Sequence, residues 1–272
     1  MVQLAHDYNE AGLKLYEKLH LSNFPVAFKY LLKGEKIGSA FTKPSNLKQK
    51  WSICQAITYA RRWGWSVAMT QEDNFCVPSL FVHRWVDITR EEFLASQMLQ
   101  KWHKDEAAEK RRIDRTIAMM GIARYERLKQ YGGMLFAPLH HADFVPDSIA
   151  VFGNAENITH IIHALTYNGE NYPISTFEGF GETCVKGSLA PFITGIPQIV
   201  IPGMGDRGFS GVYDYEIAIG LPAQMVFGIV ENLFATGGPL NMGQPVKTLI
   251  ANNLTESITP GFQYLRKIVD EK

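Results

Sequence analysis

The chain is poor in cysteine: among 272 residues it has three, Cys54, Cys76 and Cys184. Their odd number and wide, unequal gaps lack the local Cys-x-x-Cys pairing that marks a zinc or ferredoxin motif. An excess of either charge is also missing, since Lys plus Arg and Asp plus Glu both count 27. That removes the strongest reason to expect a nucleic-acid or anionic-membrane partner. No uninterrupted apolar run reaches the length of a membrane span. The opening Met1-Val2-Gln3-Leu4-Ala5-His6-Asp7 has no basic stretch followed by an apolar one, so no signal peptide is expected. Sparse, odd thiols then point to a reducing cytoplasm, where they stay free or bind metal. Near-zero net charge favours self-association, so a homo-oligomer is expected. Walker loops, nucleophile elbows, EF-hands, HExxH patterns, repeats and low-complexity tracts are all missing.

What is present is an ordinary globular composition, 46% hydrophobic and 20% charged, long enough for one large core or two small ones. Residues 3–19 place Leu4, Tyr8, Ala11, Leu15 and Leu19 at helical spacing, and 25–31 reads as a strand. A polar stretch from Gly38 to Lys50 leads into a helix that ends at Gly64, and 65–69 reads as a second strand. Thr89 and Glu92 form a capping box, and the helix behind it is expected to run on through the charged stretch 104–112. Those interleaved charges read as a solvated face. Past Gly132-Gly133 short apolar runs alternate with helical patterns: a strand at 148–152, a helix at 158–165 and a strand at 197–201. Pro222 is expected to open an apolar helix through Phe234 that Gly237-Gly238 stops, and 264–269 to end the chain as a short helix. The expected class is α+β, with short mixed sheets and flanking helices in one compact unit or two closely packed halves. A helix-rich half over residues 1–132 would carry two cysteines, and an α/β half over 133–272 the third.

Each thiol sits where backbone groups favour an anion. Ser52 followed by Gln55 reads as a capping box, putting Cys54 in a first helical turn, where the dipole favours an anionic sulfur. Cys76 precedes Pro78, a residue favoured at helix starts. Cys184 closes the glycine-broken stretch Gly179-Phe180-Gly181-Glu182-Thr183-Cys184, where small residues let a bulky group approach the backbone. Buried thiols that merely fill space are the plain alternative.

Gly203-Met204-Gly205-Asp206-Arg207-Gly208 matches the dinucleotide fingerprint, but that motif needs a helix behind it. The glycine-broken, aromatic continuation at 209–215 reads instead as a tight loop that aims Asp206 and Arg207. The two residues pair with each other, or Arg207 binds a carboxylate or phosphate as a planar fork. His140 and His141 alternate sides on an extended segment, and His160 and His163 share a helix face. All four read as core or surface histidines before metal ligands. Glu178 and Glu182 flank the glycines before Cys184, as solvated loop carboxylates or as a general acid or base.

These pieces in their order resemble the prokaryotic family called "domain of unknown function 169". They are Pro25 to Phe28, Cys54 before Gly64, Cys76, the strand 149–152, Leu165-Thr166-Tyr167, Gly181 to Cys184, Ile201 to Arg207 and the helix after Pro222. The resemblance runs over nearly the whole chain and implies that the cysteines and the Gly-x-Gly-Asp-Arg loop form one pattern; the family brings no activity with it, and the expectation that this pattern is an iron–sulfur site is our own reading. The expected centre is a [4Fe-4S] cluster held by Cys54, Cys76 and Cys184, whose open iron takes a small organic acid for lyase-type or low-potential redox chemistry. Gly205, Asp206 and Arg207 would bind that substrate, and Glu182 and His141 would move protons. Zinc is the other candidate metal. A non-enzymatic binding module, with Phe209, Tyr213 and Tyr215 lining its pocket, and a metal-free cysteine nucleophile remain as alternatives. With thiolates about 2.3 Å from their metal, the three sulfurs must converge near residues 203–207.

Overall fold

The computed structural model describes residues 2–99, 101–119, 126–177, 181–235, 264 and 267–271. In chain order they build α1 (Val2–Lys18), β1 (Val26–Leu32), α2 (Ile53–Trp63), β2 (Val67–Thr70), α3 (Val77–Val82), α4 (Arg90–Met98) and α5 (Glu106–Met119). There follow β3 (Tyr131–Pro138), β4 (Ser148–Gly153), α6 (Ala155–Leu165), a π-helix (Glu182–Leu189) and α7 (Ala190–Thr194). Last come β5 (Gln198–Val200), α8 (Met204–Ser210), β6 (Ile217–Pro222) and α9 (Met225–Ala235).

The strands form one six-stranded sheet in the order β2-β3-β1-β4-β6-β5, antiparallel at every pairing. The expected α+β class is what the chain adopts, with helices on both faces of this sheet. Alternation along each strand feeds two cores. Val26, Phe28 and Tyr30 point with Met69, Phe136 and Phe152 toward one, whereas Ala27, Leu31, Leu135, Ile149 and Leu221 point toward the other. Ile53, Phe81, Phe93, Ile113 and Leu189 cover the first face from α2, α3, α4, α5 and the π-helix. Leu15, Ile161 and Ile229 cover the second from α1, α6 and α9. The boundary read at residue 132 falls at the second residue of β3, whose neighbours are β1 and β2.

Several local readings change. The helix opened by Thr89 stops at Met98, and the charged stretch forms α5 separately. Glu109 explains the return: it is buried and accepts the backbone N–H groups of Trp102 (3.3 Å) and His103 (3.0 Å) and the Arg112 guanidinium (2.8 Å). Lys110 and Asp114 keep the solvated pairing expected of that face, at 2.6 Å. Pro222 closes a strand rather than opening a helix, because Ile217, Ile219 and Leu221 alternate with Ala218 and Gly220 between the two covered faces. Residues 204–210 are helical, not a tight loop, with Gly203 as N-cap. With β5 and β6 antiparallel, that helix closes no parallel βαβ crossover, so the dinucleotide match stays unsupported. The stop at Gly237-Gly238 lies outside the described residues, as do parts of the last helix, of which Tyr264 and 267–270 are helical.

Candidate functional site

Cys54 enters the first-core face from the first turn of α2. The Ser52 hydroxyl accepts the Gln55 N–H (3.1 Å) and the Gln55 side chain accepts the Ser52 N–H (2.8 Å). Such caps contribute about 0.5–2 kcal/mol, and here they fix the direction in which residue 54 leaves the cap. The opposite end stops at Gly64, in the left-handed region at φ 74°.

The segment before Cys76 runs beside the segment before Cys54. Trp51 donates its N–H to the Asp73 carbonyl (2.8 Å) and accepts that of Phe75 (3.1 Å). Cys76 is the N-cap of α3 and donates its N–H to Asn74 Oδ1 (2.8 Å). Asn74 Nδ2 donates to Ser79 Oγ (2.7 Å), which donates to the Cys76 carbonyl (2.8 Å). This closed ring of bonds holds the thiol near the start of α3, in the setting that the proline signal indicated.

Cys184 is not in a loop. It lies on the π-helix, whose eight residues are all buried and whose N-cap, Gly181, has φ 65°. π-turns are rare and occur often at functional sites. Two contacts press this helix onto the sheet. The Ser148 hydroxyl of β4 donates to the Ser188 carbonyl (2.8 Å). At Gly220 of β6 an added Cβ would stand 2.3 Å from the Lys186 carbonyl oxygen. Only a glycine permits that approach. Within the π-helix Lys186 Nζ meets Glu182 at 3.0 Å, both side chains being buried, and also donates to the Thr176 carbonyl. Glu182 is therefore a paired interior carboxylate, not a solvated one. Glu178 lies outside the described residues.

Asp206 completes the group. Its Oδ2 accepts the Gly203 N–H at 2.8 Å, capping α8, and the Thr58 hydroxyl of α2 donates to the Ser210 carbonyl (2.7 Å), fixing α8 against α2. Asp206 Oδ1 is buried without a well-formed hydrogen bond, although Cys54 and Thr183 lie close enough to stabilise the carboxylate. Sequence reading took Asp206 as a loop residue facing substrate, in a stretch expected near the thiols; its capping of a helix was not foreseen.

The three cysteines are unbridged, and Cys54 is near enough to Cys184, Cys76 and Asp206 to be influenced by each. A hydrogen bond to Cys184 is the largest influence that pushes the Cys54 thiol well above the ordinary range, with burial, Asp206, Cys184 and Cys76 adding to it. Burial, then the charge of Cys184, raises Cys76, against the opposing pull of Ser79. Burial also raises Asp206, opposed by Cys54, Gly203 and Thr183. Cys54, Cys76 and Asp206 thus each resist ionisation, the condition that a bound cation reverses. Among the described residues, no three His, Cys, Asp or Glu side chains are gathered as a single metal ion would require.

His83, missed in the sequence, lies behind Cys184. It is buried, stacks on Tyr30 at 5.9 Å, and neither ring nitrogen has a well-formed hydrogen bond. Burial lowers its pKa to about 3 despite the nearby Cys184 backbone. No motif surrounds His83 in sequence; only its burial beside the cluster singles it out.

Other expected residues fall elsewhere. His141 is exposed at the far end of α2, with Nε2 3.2 Å from the Gly64 carbonyl. The eleven residues of α2 put it roughly 16 Å along the axis from the cysteine end. His160 and His163 do share a face, with ring centroids 6.2 Å apart on α6, which covers the opposite side of the sheet. Arg207 follows Asp206 but points outward, donating to the Pro202 carbonyl and standing 3.4 Å from Asp214. The expected Asp206–Arg207 pair is not made. Gly205 lies within α8, in the turn between Asp206 and its N-cap Gly203. Arg207 and Gly203 line an open cleft of about 570 Å³ with Phe177, Ile201, Pro202 and Met204. Tyr213 and Tyr215 stack on each other 5.5 Å apart, outside this lining, and the Phe209 side chain lies outside the described residues.

Fold and site together define an α+β protein in which two half-buried thiols, one buried thiol and a buried carboxylate lie near an open cleft. The family model described as "Uncharacterised ArCR", domain of unknown function 169, matches residues 14–232, and the chain belongs to that family. It is similar to the "Uncharacterized protein MJ0308" of Methanocaldococcus jannaschii, 23% identical over 228 residues, which cover 83% of this chain and 93% of that one. No solved structure matches the chain. No described helix is long and apolar enough to cross a membrane.

Proposed function

We propose that the protein is a cytoplasmic iron–sulfur protein in which Cys54, Cys76 and Cys184 hold a [4Fe-4S] cluster and leave one iron open to a small organic acid. The observation that carries this reading is the nearness of Cys54 to Cys184, Cys76 and Asp206, each thiol arriving from a separate helical start. Thiolates are the usual ligands of such clusters, and the elevation of Cys54, Cys76 and Asp206 is relieved when positive charge sits among them. Zinc is the other candidate metal, held by the three thiolates and one further ligand. When bound, the cluster supplies an iron Lewis acid or a low-potential electron.

The chain's own residues supply the setting. Glu182 and Lys186 pair beside Cys184 and stiffen the π-helix that carries it. Arg207 presents a planar fork at the mouth of the cleft. His141 takes no part, being at the other end of α2. The raised Cys54 and Cys76 thiols speak against either as a metal-free nucleophile, which needs a depressed pKa. Absorbance of protein purified without oxygen tests the reading. A broad visible band that vanishes when all three cysteines become serine is expected. A colourless wild-type protein free of iron contradicts it, and retained ligand binding by the serine variant favours a binding module.

A further inference from the structure

We infer that the open cleft beside the thiol centre binds a monocarboxylate with a compact apolar body, an aryl or branched alkyl acid. This names the substrate class for the site proposed above and rests on that reading for its catalytic meaning, though not for its binding. The cleft has a firm wall. Ile174 donates its N–H to the Pro197 carbonyl and accepts that of Ile199, both at 3.0 Å, holding the strand-like segment that leads to Phe177 alongside β5. Ile201 and Met204 form the facing side at the start of α8. Phe177, Ile201 and Met204 remain 44%, 40% and 59% exposed. Contiguous exposed apolar side chains around one concavity mark a binding site more than a random surface. The volume, about 570 Å³, lies within the range of small-molecule sites.

Its chemistry is one-sided. Arg207 is the charged side chain of the lining. Its contacts engage two of three guanidinium nitrogens, and the partner carboxylate, Asp214, is 99% exposed. So exposed a pair is weak and is readily exchanged for a carboxylate on a ligand. A guanidinium binds a carboxylate as a two-pronged fork. A sugar or nucleotide needs several polar partners, which the described lining residues do not offer. One cation on an apolar wall suits one carboxylate on an apolar body. The cleft is bounded by Gly203, whose N–H is held by Asp206.

Calorimetric titration with 3-phenylpropionate and its neutral isostere 3-phenylpropan-1-ol tests this on the protein as purified and after iron removal. The acid is expected to bind at least tenfold tighter than the alcohol. Arg207→Gln should abolish that preference, and Arg207→Lys should keep part of it. Met204→Asp, which puts a favourable acid at a helix start, should weaken the acid more than the alcohol. Equal binding of acid and alcohol, no binding of either, or an acid preference that survives Arg207→Gln overturns the inference. An acid preference in iron-free protein that never held a cluster upholds the cleft while removing the cluster.

Discussion

Replacing Glu216 by glutamine should be among the most damaging single changes outside the thiol centre. This carboxylate, 1% exposed just ahead of β6, accepts from Arg61 at 2.6 and 3.2 Å, from Arg62 at 3.0 Å, from Asn23 at 2.9 Å and from the Tyr213 N–H at 2.7 Å. Arg61 is fully buried, with its guanidinium 4.4 Å from the centre of the Phe152 ring. A glutamine keeps the shape but leaves Arg61 charged and uncompensated in the interior. Breaking a buried pair on one side costs about 3–5 kcal/mol. Against a total of about 5–15 kcal/mol, and with roughly 2–4 °C lost per kcal/mol at this size, the melting temperature should fall by about 6–20 °C. Calorimetry at neutral pH measures it, and a loss below about 2 °C refutes the reasoning. The double change Arg61→Met with Glu216→Leu should recover much of the loss, since apolar replacement of both partners is often neutral or better. Burial raises the Glu216 pKa, but Arg61, the Tyr213 N–H and Arg62 outweigh it, and the net shift is downward. Its stability contribution is therefore complete above the ordinary carboxylate pKa and is lost as pH falls through the folded value.

Gly220→Ala should displace the π-helix, because its Cβ meets backbone at 2.3 Å; overpacking costs typically 1–3 kcal/mol, read as a lowered urea midpoint, and should reduce iron retention in a protein whose cysteines are intact. In metal-free protein, Cys54 and Cys76 should alkylate slowly with iodoacetamide at pH 7–8 and accelerate only above the ordinary thiol range, as their raised values require; fast labelling of Cys54 at pH 7 would contradict this. His83, held neutral with a pKa of about 3 against an ordinary 6.5, leaves the unfolded chain binding the extra proton between those values. Stability of the metal-free protein should be full above pH 6.5 and fall by up to about 1.4 kcal/mol per pH unit below it. His83→Gln should flatten that slope relative to wild type, and an unchanged slope would show that His83 titrates normally.

The local signals that sequence carries best were the capped ends. Ser52 with Gln55 and Thr89 with Glu92 each close the box their spacing implies, and Gly64 ends α2 in the left-handed region. These depend on residues within a few positions of one another, so a single chain displays them. β3 and β6 were obscured because both faces of each are covered, which turns alternation into a continuous apolar run. The π-helix has no period in common use as a signal, and its glycines at 181 and 187 imitate a loop. The break between α4 and α5 depends on Glu109 reaching back to Trp102 and His103, a tertiary contact with no local mark. Placing the thiols near one another rested on the chemistry expected of them rather than on pattern. The role of His83 emerged only from burial, since it stands in no recognisable motif as a partner of the cysteines.

Iron and acid-labile sulfide, counted per chain in protein purified and kept without oxygen, test the central claim most directly. About four of each per chain is expected for a [4Fe-4S] cluster, with both falling steeply in each of Cys54→Ala, Cys76→Ala and Cys184→Ala while circular dichroism stays native. Protein that folds with negligible iron and sulfide, even after anaerobic reconstitution, or that keeps full content when any one of the three cysteines is removed, would contradict it.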